Sequence, residues 1–207
     1  MTPAPLSFFL AWLSDPLRVG AVSPSSPALA DAITREITPA CAPVIELGPG
    51  TGVFTRSLIR RGIPEDRLAL IERSGAFARA LERTFPRAHV LQMDAAGLAG
   101  ADLFGGERAG AVVSGLPLLL MPPSKVRALL EAAFECLRAG SAFYQFTYGL
   151  EPPVPRRTLD RLGLEIARSG GTLANVPPAT VYRIRRRRSP GTIRHSRHVR
   201  PKFAGPR

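Results

Sequence analysis

The stretch Val44-Ile45-Glu46-Leu47-Gly48-Pro49-Gly50-Thr51-Gly52 constrains this chain more than any other part of it. A short apolar run, Val44 to Leu47, breaks into three glycines at alternate positions. A helical pattern then begins at Val53-Phe54 and continues through Ser57-Leu58-Ile59. That order predicts a buried strand, a tight loop and a helix start, a cradle for an adenosine-containing ligand. Glycine suits such a loop because it accepts positive φ and lets the backbone approach a ligand closely. The helix N-terminus beyond it offers unpaired N–H groups and a partial positive charge to an anionic group.

Further apolar runs repeat the plan. Leu68-Ala69-Leu70-Ile71-Glu72 reads as a second strand, followed by a helix through Phe77, Leu81 and Phe85. His89 to Asp94 and Gly110 to Ser114 read as third and fourth strands, Val126 to Leu137 as an amphipathic helix, and Ala142 to Tyr148 as a fifth strand rich in β-forming aromatics. Residues 164–170 and 180–187 supply a closing pair. Ahead of the glycine loop, Ser25 or Ser26 caps a helix with Pro27 in its first turn and Leu29, Ile33 and Ile37 on its apolar face. Strands alternating with helices of this length predict an α/β domain: a single doubly wound, mostly parallel, Rossmann-like sheet with helices on both faces. The chain divides into an N-terminal helical lid or membrane-contact segment (residues 1–40), a core (41–188) and a basic, disordered tail (189–207).

Composition sharpens this outline. The formal charge is +12, and residues 183–207 hold ten basic residues and no acid. The charge is therefore concentrated at the end of the chain, attractive to any polyanion, whether anionic lipid or nucleic acid. Cys41 and Cys136 stand far apart with no metal-ligand spacing, which favours a reduced cytosolic compartment over a disulfide scaffold and predicts no metal. The apolar run Leu6 to Leu13 lacks a preceding basic residue and ends at Asp15, so it reads neither as a secretory signal nor as a membrane span. Its Phe8, Phe9, Trp12 and Leu13 suit a headgroup–acyl boundary, or a lid over the ligand site.

Ligands of such sheets bind at the carboxyl ends of the strands. Three groups fall there. Glu72 stands twenty residues after Gly52, where a carboxylate accepts hydrogen bonds from both hydroxyls of a ribose, or caps the helix after Ser74. Asp94 is placed to accept from an adenine amino group, with Ala95 beside it, or to serve as an N-cap. Ser114-Gly115-Leu116-Pro117 ends the fourth strand, where the reacting partner meets the ligand.

Spacing decides the ligand. The dinucleotide fingerprint needs a third glycine at position 53, where Val53 stands, and the Gly-Lys-Ser/Thr ending of a P-loop is absent. The pattern E-x-G-x-G-x-G resembles the first motif of class I S-adenosylmethionine-dependent methyltransferases. The resemblance implies S-adenosyl-L-methionine as cofactor, held by Glu46, Gly48, Gly50, Gly52, Glu72, Asp94, Ala95 and Ser114. Five segments together resemble bacterial phospholipid N-methyltransferases: Phe8 to Leu13, Arg18 to Ser26, the glycine loop, Val112-Val113-Ser114-Gly115-Leu116-Pro117-Leu118-Leu119, and Tyr144-Gln145-Phe146-Thr147-Tyr148-Gly149. That resemblance implies successive methylation of phosphatidylethanolamine toward phosphatidylcholine, on a protein attached peripherally to the cytoplasmic membrane through its first helix.

Amine methyltransferases of this kind place an Asn/Asp/Ser-x-Pro-aromatic element after the fourth strand. Here Ser114 and Pro117 have counterparts, but Leu118 stands where the aromatic would be. The resemblance thus assigns acceptor positioning to Ser114, Gly115, Leu116 and Pro117, with an ordinary post-strand turn as the alternative. Tyr148, ending the fifth strand, orients the headgroup, meets the methylated cation through its ring, or is a core or surface tyrosine. No histidine stands near a motif and no general base is assigned. Two rivals remain within the fold: an ornithine-lipid N-methyltransferase, and an RNA adenine N6-dimethyltransferase, which the basic tail favours and the missing ring disfavours. A third is a cofactor-binding adaptor without activity. Partners follow as an anionic membrane surface with a phospholipid substrate, and less strongly a nucleic acid.

Overall fold

The computed structural model describes residues 26–175 and 177–187. The helix expected over residues 6–14 and the tail over 189–207 lie outside the described residues. Seven strands form one sheet in the order β3-β2-β1-β4-β5-β7-β6. They are β1 (Val44–Leu47), β2 (Leu68–Glu72), β3 (His89–Gln92), β4 (Ala109–Ser114), β5 (Leu137–Tyr148), β6 (Leu164–Thr172) and β7 (Ala179–Arg186). Pairings among β1 to β5 are parallel, and β7 runs antiparallel between β5 and β6. The sheet is the doubly wound, mostly parallel one that the alternation predicts.

Among the described residues five α-helices flank it: α1 (Pro27–Thr34), α2 (Val53–Arg60), α3 (Gly75–Thr84), α4 (Pro123–Cys136) and α5 (Arg156–Arg161). Ser26 caps α1 by accepting from the Leu29 amide at 3.2 Å, and Pro27 opens it, as its fixed φ favours. Because β1 is buried on both faces, its apolar residues feed two cores. Val44 joins Leu29 and Ile33 of α1, Phe54 and Leu58 of α2 and Leu81 of α3. Ile45 and Leu47 join Leu129, Leu130, Ala133 and Phe134 of α4 on the opposite face. Covering both faces in this way is what a parallel sheet requires. Truncating the fully buried Leu58 to alanine would cost about 2–5 kcal/mol.

Two boundaries differ from the sequence reading for physical reasons. β3 stops at Gln92 because its last partner, Glu72, ends β2, so Asp94 lies past the strand and caps a short turn, Ala95–Gly97. The segment Leu137 to Ser141 belongs to β5, which leaves α4 without an intervening loop. The described part of the 1–40 segment is built into the domain: α1 packs on α2, and Leu29, Ile33 and Ile37 are buried.

Candidate active site

Strand order reverses between β1 and β4, and the loops leaving their carboxyl ends touch. Gly115 donates its amide to the Leu47 carbonyl at 2.8 Å, and Gly48 donates to the Ile71 carbonyl at 2.9 Å. Gly48 has φ +68°, and a Cβ there would lie 2.7 Å from the Leu116 side chain. A Cβ on Gly115 would lie 2.8 Å from the Gly48 carbonyl oxygen. Both positions therefore require glycine, one for its dihedral and its neighbour, the other for close backbone approach. Gly50 and Gly52 also take positive φ, and Gly52 is the N-cap of α2.

Glu46 lies beneath this loop. Its carboxylate is fully buried, and Oε2 accepts from the Thr55 hydroxyl at 2.7 Å in the first turn of α2. Oε1 has no hydrogen-bond partner. Burial pushes this carboxyl up to about 8, against the opposing pull of Thr55, and the Glu72 charge raises it further. The expected cofactor residue is thus a buried support for the loop and for the helix N-terminus above it.

Glu72 is nearly buried at the end of β2. Its Oε2 accepts from the Gly50 amide at 3.1 Å, and Oε1 accepts from the Ser74 amide at 2.8 Å at the start of α3. The carboxylate thus bonds the Ser74 amide just before α3 with one oxygen and the glycine loop with the other, and it is buried rather than a surface acid. Asp94 accepts from the Ala96 amide at 3.0 Å and from Lys125 Nζ at 2.6 Å. The lysine bond, then the amide, hold its carboxyl below the ordinary range. Ala95 is buried in the same turn.

On the other side of the loop, Ser114 is fully buried and its Oγ accepts from the Leu116 amide at 3.3 Å. Gln145, paired with Ser114 across β4 and β5, donates from Nε2 to the Leu116 carbonyl at 2.9 Å and to the Phe146 carbonyl at 3.0 Å. Its Oε1 is buried without a partner. Beside this anchor lies a shallow cleft, open to solvent and lined by Leu116 to Leu120 and Phe146 to Tyr148. Leu118 occupies the place where an aromatic was looked for, and β5 supplies the rings instead. Phe54 meets Phe146 edge-on at 5.9 Å, and Phe146 meets Tyr148 at 5.4 Å. Burial raises the Tyr148 hydroxyl well above its ordinary range, with a hydrogen bond to Asn175 opposing.

The structure brings Gly48, Gly50, Gly52, Glu72, Asp94, Ala95, Ser114 to Pro117 and Tyr148 to one end of the sheet. Glu46 lies below them. His89 begins β3, its ring near the Asp66 carbonyl at the opposite end. No group of three His, Cys, Asp or Glu residues among the described residues could hold a metal. Lys125, Gln145, Phe54 and Phe146 were not singled out from the sequence as site residues. Only sheet register joins Gln145 to Leu116, and Lys125 reaches Asp94 from 31 residues away.

No protein-family model matches the chain. The ornithine lipid N-methyltransferase of Singulisphaera acidiphila is 33% identical over 169 residues, spanning 79% of this chain and 86% of that protein. Among solved structures, a glycopeptide N-methyltransferase complexed with S-adenosyl-L-homocysteine matches with TM-score 0.61 at 15% identity, over 81% of this chain and 89% of its own. A TehB-like S-adenosylmethionine-dependent methyltransferase from Corynebacterium glutamicum gives 0.57 at 12% identity, over 88% and 98%. At those identities the structural likeness carries the fold alone.

Proposed function

This chain belongs to the family of the ornithine lipid N-methyltransferase, and from that premise we propose that it methylates the amine of a membrane amino-lipid headgroup, using S-adenosyl-L-methionine. The observation that carries the acceptor side is the apolar cleft beside the Ser114–Pro117 loop, walled by Phe146 and Tyr148. The sequence resemblance favoured phosphatidylethanolamine, while the relative's own name points to an ornithine lipid. Both carry a primary amine above acyl chains, and the cleft suits either.

The residues fit the cofactor. Each oxygen of Glu72 accepts one backbone hydrogen bond and keeps a lone pair for a ribose hydroxyl. Gly48, Gly50 and Gly52 carry no side chain to hinder a ligand above the loop, and Asp94 would take the adenine amino group beside Lys125. When bound, the sulfonium supplies an activated methyl group for in-line attack by nitrogen. The protein's part is positioning and exclusion of water. Gln145 fixes the Leu116 carbonyl, and with it the loop that would orient the amine. Leu116, Pro117 and Leu118 exclude water, and an ammonium entering such walls has its pKa lowered, which favours the neutral nucleophile without a dedicated base. The Tyr148 ring, which lines the cleft, would stabilise the methylated cation.

The test is expression in a host that contains phosphatidylethanolamine and ornithine lipid, with lipid mass spectrometry. Mass increments of one, two or three methyl groups on either lipid are expected. Unchanged lipids together with methyl transfer to ribosomal RNA in vitro would overturn the proposal.

A further inference from the structure

Three large apolar side chains are exposed among the described residues: Leu119 at 43%, Leu150 at 72% and Leu173 at 88%. All three lie at the carboxyl end of the parallel strands. Leu119 belongs to the loop after β4 and lines the acceptor cleft. Leu150 follows β5 by two residues. Leu173 follows β6, where Thr172 pairs with Ala179 of β7 and Ala179 pairs with Tyr148 of β5, so the β6–β7 loop stands beside the end of β5. Gly149 donates to the Pro178 carbonyl at 3.1 Å, and Tyr182 holds the Leu150 carbonyl at 2.6 Å. These bonds fix the backbone at Gly149 and Leu150, so that the Leu150 side chain projects from a braced turn.

Exposed leucines scattered over a surface need no explanation, but three at one end of the sheet, one of them lining an apolar cleft, mark an interaction surface. On the lipid reading above, on which this inference rests, the acceptor's acyl chains remain in the bilayer while its amine enters the cleft. The mouth of the cleft must then face the bilayer. Two exposed cations stand at this end of the sheet: Arg156, six residues after Leu150, exposes 92% of its side chain with Asp160 at 4.0 Å, and Arg73 follows β2. Ser26 donates its amide to the Asn175 side chain in the β6–β7 loop at 2.9 Å, which ties the start of α1 to this same end.

We propose that Leu119, Leu150 and Leu173 form a docking rim for an anionic phospholipid bilayer, which seats the acceptor cleft against the membrane. Arg156 and Arg73 meet lipid phosphates while the leucines enter the headgroup–acyl boundary.

The experiment measures binding of the full chain to vesicles of phosphatidylglycerol and phosphatidylcholine. Leu150→Glu combined with Leu173→Glu is expected to weaken binding about tenfold or more, since burial of one leucine alone is worth a decade in an equilibrium constant. Ala40→Glu with Ala139→Glu adds the same charge at exposed positions toward the opposite end of the sheet and is expected to alter binding by no more than about twofold. Equal losses in the two pairs would reduce the effect to charge and overturn the rim. Unchanged binding of the leucine pair would overturn it too, with residues 1–25 or another partner covering the site. Methylation of amino-lipid in detergent micelles is expected to survive the leucine pair. If the unaltered protein methylates no lipid in micelles, the functional reading fails instead, independently of what the vesicles show.

Discussion

Glu72 Oε2 accepts a hydrogen bond from the Gly50 amide at 3.1 Å, so one carboxylate at the end of β2 ties down the glycine loop after β1. Its other oxygen holds the Ser74 amide. Glu72→Ala removes the hydroxyl acceptor and loosens both attachments. Calorimetry should show S-adenosyl-L-methionine binding weakened by roughly 1.5–3 kcal/mol, the worth of hydrogen bonds to a charged group. Unchanged affinity would remove Glu72 from the cofactor site.

Gln145 ties β5 to the acceptor loop through Leu116 and Phe146. Gln145→Leu keeps the volume but leaves buried carbonyls without this donor, at a cost of about 1–3 kcal/mol in stability. The acceptor loop should lose its fixed position while the glycine loop keeps its own bonds. Turnover should therefore fall while cofactor affinity stays near the original. A variant weakened equally in both would make Gln145 a general support rather than an acceptor-side one.

These two residues differ in how far the sequence revealed them. Glu72 was legible because an apolar run ending in an acid, at the right distance from a glycine loop, has a chemical reason to exist. The strands were legible for a related reason, since residues buried on both faces read as continuous apolar runs. Gln145 stands out in the sequence only within the Tyr144–Gly149 resemblance, for its work depends on which strand lies next to β4. The arginine run shows the same limit from the other side. Counted by charge, Arg183 to Arg187 look like the start of a tail, yet β7 reaches Arg186 with Ile184 buried between its arginines. Arg183 meets Glu36 at 2.8 Å, Arg186 lies over the Phe134 ring and Arg187 pairs with Asp160. Partners that distant leave no mark in local sequence.

Glu46 predicts a pH dependence. Burial raises its carboxyl from 4.5 to about 8, so between those values the folded chain holds a proton that the unfolded chain has released. Stability from this group is fully present below 4.5 and is lost as pH rises toward 8, by up to about 1.4 kcal/mol per unit. Glu46→Gln cannot ionise and keeps an oxygen for Thr55. The stability difference between variant and original should therefore grow in the variant's favour from pH 5 to pH 8. Urea unfolding at several pH values reads this directly, and parallel profiles would show that Glu46 ionises normally.

Gly115 makes the last prediction, because its neighbour cannot give way. A Cβ there meets the Gly48 carbonyl oxygen at 2.8 Å, with the Leu47 oxygen at 3.6 Å and Phe54 at 3.7 Å behind it. Two of those are backbone atoms of β1 and its loop, so relief comes only by separating the glycine loop from the acceptor loop. Gly115→Ala should cost about 1–3 kcal/mol in stability, as overpacking does. It should also weaken cofactor binding and slow methyl transfer together, because one displacement moves both walls of the site. That joint loss distinguishes it from Glu72→Ala, which acts first on the cofactor, and from Gln145→Leu, which acts first on the acceptor. Normal cofactor affinity and normal turnover in a folded Gly115→Ala protein would mean that the two loops do not share the contact through which the site is held.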